Sequence, residues 1–283
     1  MTIETRDADA SKPVVFMSSI TSDIGLALAE RYVADGWVVA GTYRAQTLLP
    51  KLRSIGIEHL FYCDLADVSS VAKSTAAFAS SGLRWDSFIS LASSPPPLCG
   101  FFDGSFDGWS ESIHINAIEQ LRQLHGLYPF RNSGKIVDVV FFAGPGTNGA
   151  PAHFSALTVS KTMLIKMCEL LAADAEDVNP FIVGPGWVRT KTHDLILSDP
   201  EVSPEKKRET QEFLANQQGG TPMDEIYESI RWLSEQGREV AGGRNFSIVH
   251  DIWGRDELAA ALRQDPWMYK LRRHGNAFKE RSA

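Results

Sequence analysis

The sequence points to an α/β domain: a three-layer, doubly wound parallel sheet of about seven strands, with a helical lid and a C-terminal extension. Three observations lead there. Short, β-rich apolar runs alternate with stretches of helical apolar spacing. The runs are continuous rather than alternating, as in strands covered on both faces. No composition break or internal repeat divides the 283 residues, so the alternation reads as one series of right-handed βαβ units.

Residues 1–12 are polar and acidic and read as a flexible N-terminus. Pro13 to Ser18 forms the first strand, and a small-polar turn follows. Ile24, Leu26, Leu28 and Tyr32 recur at helical spacing until Gly36 ends the helix. Trp37 to Thr42 and Glu58 to Tyr62 read as strands, with a helix over Val68 to Ala79. Trp85 to Ala92 is a strand before a proline-rich loop, and Trp109 to Leu127 a helix. Lys135 to Phe142 is a strand, Ser155 to Ala173 a helix and Asn179 to Val183 a strand. From about residue 190 to 218 the chain is charged and helical in pattern, either a lid over a pocket or a solvated helix pair. A last long helix begins near Gly220 to Ile226, and a final strand runs over Phe246 to Asp251. The main domain spans 13–254, and 255–283 is the extension, whose Trp267, Met268 and Tyr269 need cover from the domain or a neighbouring subunit.

Composition narrows the function. Hydrophobic residues at 43% and charged residues at 22% suit a folded core and exclude disorder. A net charge of −7 denies the chain a global basic footprint, so neither nucleic acid nor a membrane surface is expected as partner. The basic end at Lys270, Arg272, Arg273 and His274 does not outweigh that. Cys63, Cys99 and Cys168 are few and far apart, giving no disulfide framework and no metal-ligand spacing. With no signal-like start and no membrane-length apolar run, a cytoplasmic location is expected.

The turn between the first strand and helix, Ser18-Ser19-Ile20-Thr21-Ser22-Asp23-Ile24-Gly25, lies where a helix N-terminus offers free N–H groups to a phosphate. Further stations follow in order: Asp64 closing the third strand, Asn116, the strand Gly134-Lys-Ile-Val-Asp-Val-Val, Ser160-Lys161, Pro185-Gly186-Trp-Val-Arg-Thr190, Gly220 to Ile226 and Phe246 to Asp251. Together they resemble the short-chain dehydrogenase/reductase family from about residue 13 to 254. The resemblance implies a Rossmann-type sheet, NAD(P)-dependent redox work on a small-molecule substrate, and a homo-dimer or homo-tetramer. It places Ser18, Thr21, Ser22, Ile24, Gly25, Asp64, Lys161, Pro185, Gly186, Val188 and Thr190 around a dinucleotide. Where the family carries Thr-Gly-x-x-x-Gly-x-Gly, however, only the last glycine, Gly25, remains.

The second strand ends Thr42-Tyr43-Arg44, with no acid to bind ribose hydroxyls. Arg44 favours a 2′-phosphate and hence NADP(H). NAD(H), or no cofactor at all, stays open, as does a plain surface role for Arg44.

The family's catalytic serine and tyrosine are missing. The serine position falls in Val140-Phe141-Phe142, and Leu157 stands four residues before Lys161. Hydrocarbon neither polarises an oxygen nor donates a proton. Lys161 and Asn116 remain; Lys161 holds a ribose or buries its stem, and Asn116 serves catalysis or cross-links backbone. His153 is a candidate acid–base group in a rebuilt loop, with Thr147 or Asn148 to polarise an oxygen, or else a loop histidine without chemistry. Phe141, Thr147, Trp187, Arg189 and Lys191 are candidate substrate contacts. Arg189, Lys191 and His193 suggest an anionic carbonyl, alcohol or sugar-type substrate, unless nearby acids balance them. Two functions stand: an oxidoreductase, or an isomerase on the same scaffold, with a non-standard acid–base group, and a non-catalytic dinucleotide- or ligand-binding pseudoenzyme.

Overall fold

A computed structural model describes residues 12–273 apart from 96, 199, 201, 203, 217 and 218. Lys12 aside, the N-terminal segment 1–12 lies outside the described residues, as does the extension from His274 onward.

Seven parallel strands form one sheet in the order β3-β2-β1-β4-β5-β6-β7. They are β1 (Val14–Ser18), β2 (Val38–Tyr43), β3 (His59–Tyr62), β4 (Ser87–Ser90), β5 (Val137–Phe142), β6 (Val178–Gly184) and β7 (Asn245–Ser247). The helices are α1 (Asp23–Ala34), α2 (Leu49–Ser54), α3 (Val68–Ser80), α4 (Phe106–Ile113), α5 (Glu119–Leu127) and α6 (Ser155–Asp174). They continue with α7 (Thr192–Ser198), α8 (Pro204–Ala215), α9 (Met223–Gln236), α10 (Arg238–Ala241) and α11 (Asp256–Gln264).

Both sheet faces are covered, which is why the strands read as continuous apolar runs. On one face Val15, Met17, Val140 and Val183 meet Leu28 and Tyr32 of α1, Ile230 and Leu233 of α9, and Leu258 and Leu262 of α11. On the other, Phe16, Phe88, Phe141 and Ile182 meet Phe78 of α3, Leu124 of α5, and Leu164 and Ile165 of α6.

Three elements differ from expectation. The six-residue α2 is too short to show periodicity. The helix expected over 109–127 starts at Phe106, where Ser105 Oγ accepts from Gly108 N–H, and a π-helical turn (His114–Ile118) splits it into α4 and α5. The final strand stops at Ser247, because Asp251 accepts the Ser247 N–H at 2.6 Å and folds 248–251 into a turn.

The extension packs on its own domain through residue 273. The guanidinium of buried Arg244 donates to the carbonyls of Glu239, Val240, Leu262, Asp265 and Met268, joining α10 to the end of α11. Met268 and Tyr269 lean on the core, whereas Trp267 stays 62% exposed.

Close approach fixes one glycine. A Cβ at Gly25 would lie 2.7 Å from the Ile20 carbonyl oxygen and 2.8 Å from Ser22 Oγ. Gly25→Ala is expected to cost about 1–3 kcal/mol, read as a lower denaturant midpoint with unchanged slope.

Candidate active site

The connection from β1 runs to β2 on one side and that from β4 to β5 on the other, so the topological switch point lies at the carboxyl ends of β1 and β4. Ser18, Arg44, Asp64, Ser94, Gly144 and Pro185 all leave their strands at that edge.

The β1–α1 turn keeps its shape without its first two glycines. Ser19 takes φ +57° itself, while its N–H donates to Thr42 Oγ1 at 3.0 Å and Ile20 N–H donates to the Thr42 carbonyl at 2.9 Å. Ser22 caps α1 by accepting from Gly25 N–H at 3.0 Å. Thr21 is half-buried beside it, and Ile24 packs on the core. Ser18 Oγ is buried and lacks a hydrogen-bond partner among the described residues. An orphaned hydroxyl at such a point is a group awaiting a ligand or water. Asp23, first residue of α1, turns to Lys191: Oδ2 accepts the Lys191 N–H at 2.7 Å and Oδ1 lies 3.6 Å from Nζ.

Past the end of β2 Arg44 is 72% exposed and its guanidinium lies 4.0 Å from Asp64 Oδ1. Asp64 also accepts from Ala66 N–H, and its own N–H donates to Ser70 Oγ. No carboxylate ends β2.

Near the start of α6 stands a buried lysine. Lys161 is 4% exposed and has no hydrogen-bond or ion-pair partner among the described residues. Burial, unopposed by any acid, pulls its ammonium down to about 8. The loop after β5 lies close over it: a Cβ at Gly144 would meet Lys161 Cγ at 2.9 Å and Leu157 Cγ at 3.8 Å. Leu157 and Lys161, one helical turn apart, therefore share a face under that loop.

Asn116 sits in the π-helical turn. Its Oδ1 accepts from Ser94 N–H at 2.8 Å, and its Nδ2 donates to the Ser94 carbonyl and to Ser112 Oγ, both at 3.1 Å. It holds the loop after β4 against α4, the backbone cross-link weighed from the sequence.

The expected substrate contacts are dispersed. Phe141 is corrected to a core residue: it is 0% exposed and its ring meets Phe88. It projects from β5 to the face covered by α6, out of a substrate's reach. Thr147 is half-buried in the loop over α6. His153 is exposed, takes φ +65° and has no hydrogen-bond partner among the described residues.

Beyond β6, Val188 is buried and the Pro185 carbonyl accepts from Thr221 Oγ1. Gly186 has φ +70°, where a Cβ would lie 2.6 Å from Val249 Cγ2. Arg189 donates to the carbonyls of Phe213, Leu214 and Asn216 at the end of α8, a helix-capping role. His193 stacks on Trp187 with ring centroids 5.8 Å apart, and its Nδ1 lies 3.0 Å from the Thr190 carbonyl. With Lys191 on Asp23, all three groups expected to meet an anion have partners within the chain.

At the carboxyl ends of β1 and β4 stand the N-terminus of α1, with Asp23 in its first turn, and the buried Ser18 hydroxyl, which lacks a hydrogen-bond partner among the described residues; Lys161 lies under the loop after β5. The comparisons agree with that architecture. A family model described as Enoyl-(Acyl carrier protein) reductase matches residues 20–246. The chain belongs to the short-chain dehydrogenase/reductase family. A family member from Saccharomyces cerevisiae is similar in structure, with TM-score 0.74 at 20% identity, over 88% of this chain and 98% of that one. An actinorhodin polyketide ketoreductase variant solved with NADPH gives TM-score 0.68 at 21% identity, over 83% and 95%. A short-chain dehydrogenase from Shigella flexneri, complexed with NADP, gives 0.69 at 18%, over 84% and 97%. At these identities the likeness is one of fold. No curated protein sequence matches the chain.

Sequence reasoning missed the partners of the site residues. Ser94, which holds Asn116, hid in a loop read only for its prolines. The Asp23–Lys191 pair joins residues 168 apart in sequence and left no local signal.

Proposed function

We propose that this family member binds NADP(H) at the carboxyl ends of β1 and β4 and interconverts a small carbonyl compound and its alcohol, with Lys161 supplying the proton. The single observation behind this is a buried ammonium with no partner among the described residues. Such a group is costly to keep and is retained where it has a task.

Ser18, Thr21, Ser22, Ile24 and Gly25 would hold the diphosphate end, Arg44 and Asp64 the adenosine end, and Pro185, Gly186, Val188, Thr190 and Lys161 the nicotinamide end. Bound NADPH supplies the hydride at carbon; what remains is a proton for the oxygen. Lys161 has three N–H donors, enough for a ribose hydroxyl and a substrate oxygen together. Burial keeps its proton loosely held near neutrality, so Nζ–H yields it to the developing alkoxide and regains it from solvent. Leu157 contributes only dryness, which strengthens the polarisation by Lys161. His153 is the weaker candidate, because nothing orients its ring.

The test is NADPH oxidation with a panel of carbonyl compounds across pH. Turnover is expected to fall as pH rises through about 8, and His153→Ala is expected to leave it unchanged. Loss of turnover in His153→Ala assigns the proton to His153 instead.

Coenzyme preference rests on Arg44. Arg44→Ala is expected to weaken NADPH binding about tenfold, the loss of one charge-assisted contact to the 2′-phosphate, and to leave NADH binding unchanged. Equal losses for both remove the phosphate role.

A second reading, cofactor binding without turnover, is favoured by Leu157 and Phe141 standing where the family has hydroxyls. Saturable NADPH binding with no oxidation of any substrate supports it. Self-association into a dimer or tetramer accompanies either reading, supported by exposed apolar side chains on α6, Val159 and Leu170. A monomeric mass by light scattering contradicts it. None of the described helices is long and apolar enough to cross a membrane.

A further inference from the structure

The Asp23–Lys191 bridge ties the first turn of α1 to the root of the α7–α8 segment. Asp23 stands at the helix end whose N–H groups and dipole suit an anion. Its carboxylate occupies that position with two contacts to one residue, a charge-assisted bond from the backbone and a looser approach from the ammonium. Lys191 is 71% exposed and Asp23 26%, so the acid is the more sheltered partner.

We propose that this bridge is a latch beside the diphosphate subsite, which the dinucleotide opens by taking over Lys191 from Asp23. The inference rests on the dinucleotide reading above. A diphosphate drawn to this helix end meets the Asp23 carboxylate as a like charge. The cation already there is Lys191, and transferring it from carboxylate to phosphate keeps the subsite neutralised while freeing the loop that begins α7. Arg189 and Trp187, two and four residues earlier, carry α8 with that loop through the Phe213–Asn216 contacts. Opening at Asp23 therefore loosens the helical segment as a unit. Binding of coenzyme and release of the α7–α8 segment from α1 become one event.

The experiment is calorimetric titration of NADPH into four full-length proteins: wild type, Asp23→Asn, Lys191→Ala and the double variant. Asparagine keeps an oxygen for the Lys191 N–H and removes the charge. Asp23→Asn is expected to bind about tenfold more tightly than wild type, the worth of one charged contact. Lys191→Ala is expected to bind more weakly, and its loss to be larger in the Asp23→Asn background, where the latch no longer offsets it. Equal affinities of wild type and Asp23→Asn overturn the latch and leave the dinucleotide reading standing. Strictly additive effects also overturn it, because plain charge repulsion then suffices. No binding by any of the four overturns latch and dinucleotide reading together. Melting curves confirm folding, and if Asp23→Asn unfolds, Asp23→Ser is read in its place.

Discussion

Lys161→Met is expected to abolish turnover and to raise the unfolding free energy at pH 7 by about 3 kcal/mol. Both effects come from one fact, that the ammonium is buried without a partner. Its depression from the ordinary 10.5 to about 8 measures how much the folded state resists the charge. Methionine fills a similar volume with no charge to desolvate. Below pH 8 the lysine is protonated in both folded and unfolded chains, and the whole penalty is present. Between about 8 and 10.5 the folded chain has lost the proton while the unfolded chain keeps it, so wild-type stability rises with pH relative to the variant. The stability gap between the two proteins should therefore close over that window. Denaturant melts at pH 7 and pH 10 read this directly. A destabilised Lys161→Met protein, or a gap constant with pH, would show that the ammonium has a partner in the native state.

Leu157→Tyr is expected to raise turnover by at least about 100-fold. Leu157 stands one turn before Lys161, on the same face of α6, and both side chains approach Gly144. A phenol there meets the ammonium that would lower its pKa, so it acts as a stronger and better placed acid than Lys161 alone. The falling limb of the pH profile should then move with the phenol. Steady-state NADPH oxidation by the variant, on the best substrate of the wild type, measures the gain. An unchanged rate would mean that a group other than the missing phenol limits the chemistry.

Much of this was legible in the chain. Strands covered on both faces announce themselves as continuous apolar runs, which is why Val14–Ser18 and Val137–Phe142 stand out, and their alternation with helices makes the sheet parallel without fixing its strand order. Lys161 and Leu157 were readable through the family resemblance, and a helix fixes that residues four apart share a face. Phe141 was not, since strand parity decides whether a side chain faces crevice or core, and a one-residue ambiguity reverses it. Arg189, Lys191 and His193 looked like an anion site by charge. Their engagement with α8, Asp23 and Trp187 depends on tertiary contacts that form only in the folded chain. Ser19 at φ +57° shows the same limit locally: hydrogen bonds donated by the Ser19 and Ile20 N–H groups to Thr42 hold a backbone shape that composition assigns to glycine.

The account stands on the ammonium at position 161 gripping a bound coenzyme. Calorimetric titration of NADPH into wild type and Lys161→Met at pH 7 tests it most directly. The expected result is saturable binding at one site per chain in the wild type, tighter than for NADH, and loss of that binding in the variant. Equal binding by both proteins, or no heat with either coenzyme, would contradict it.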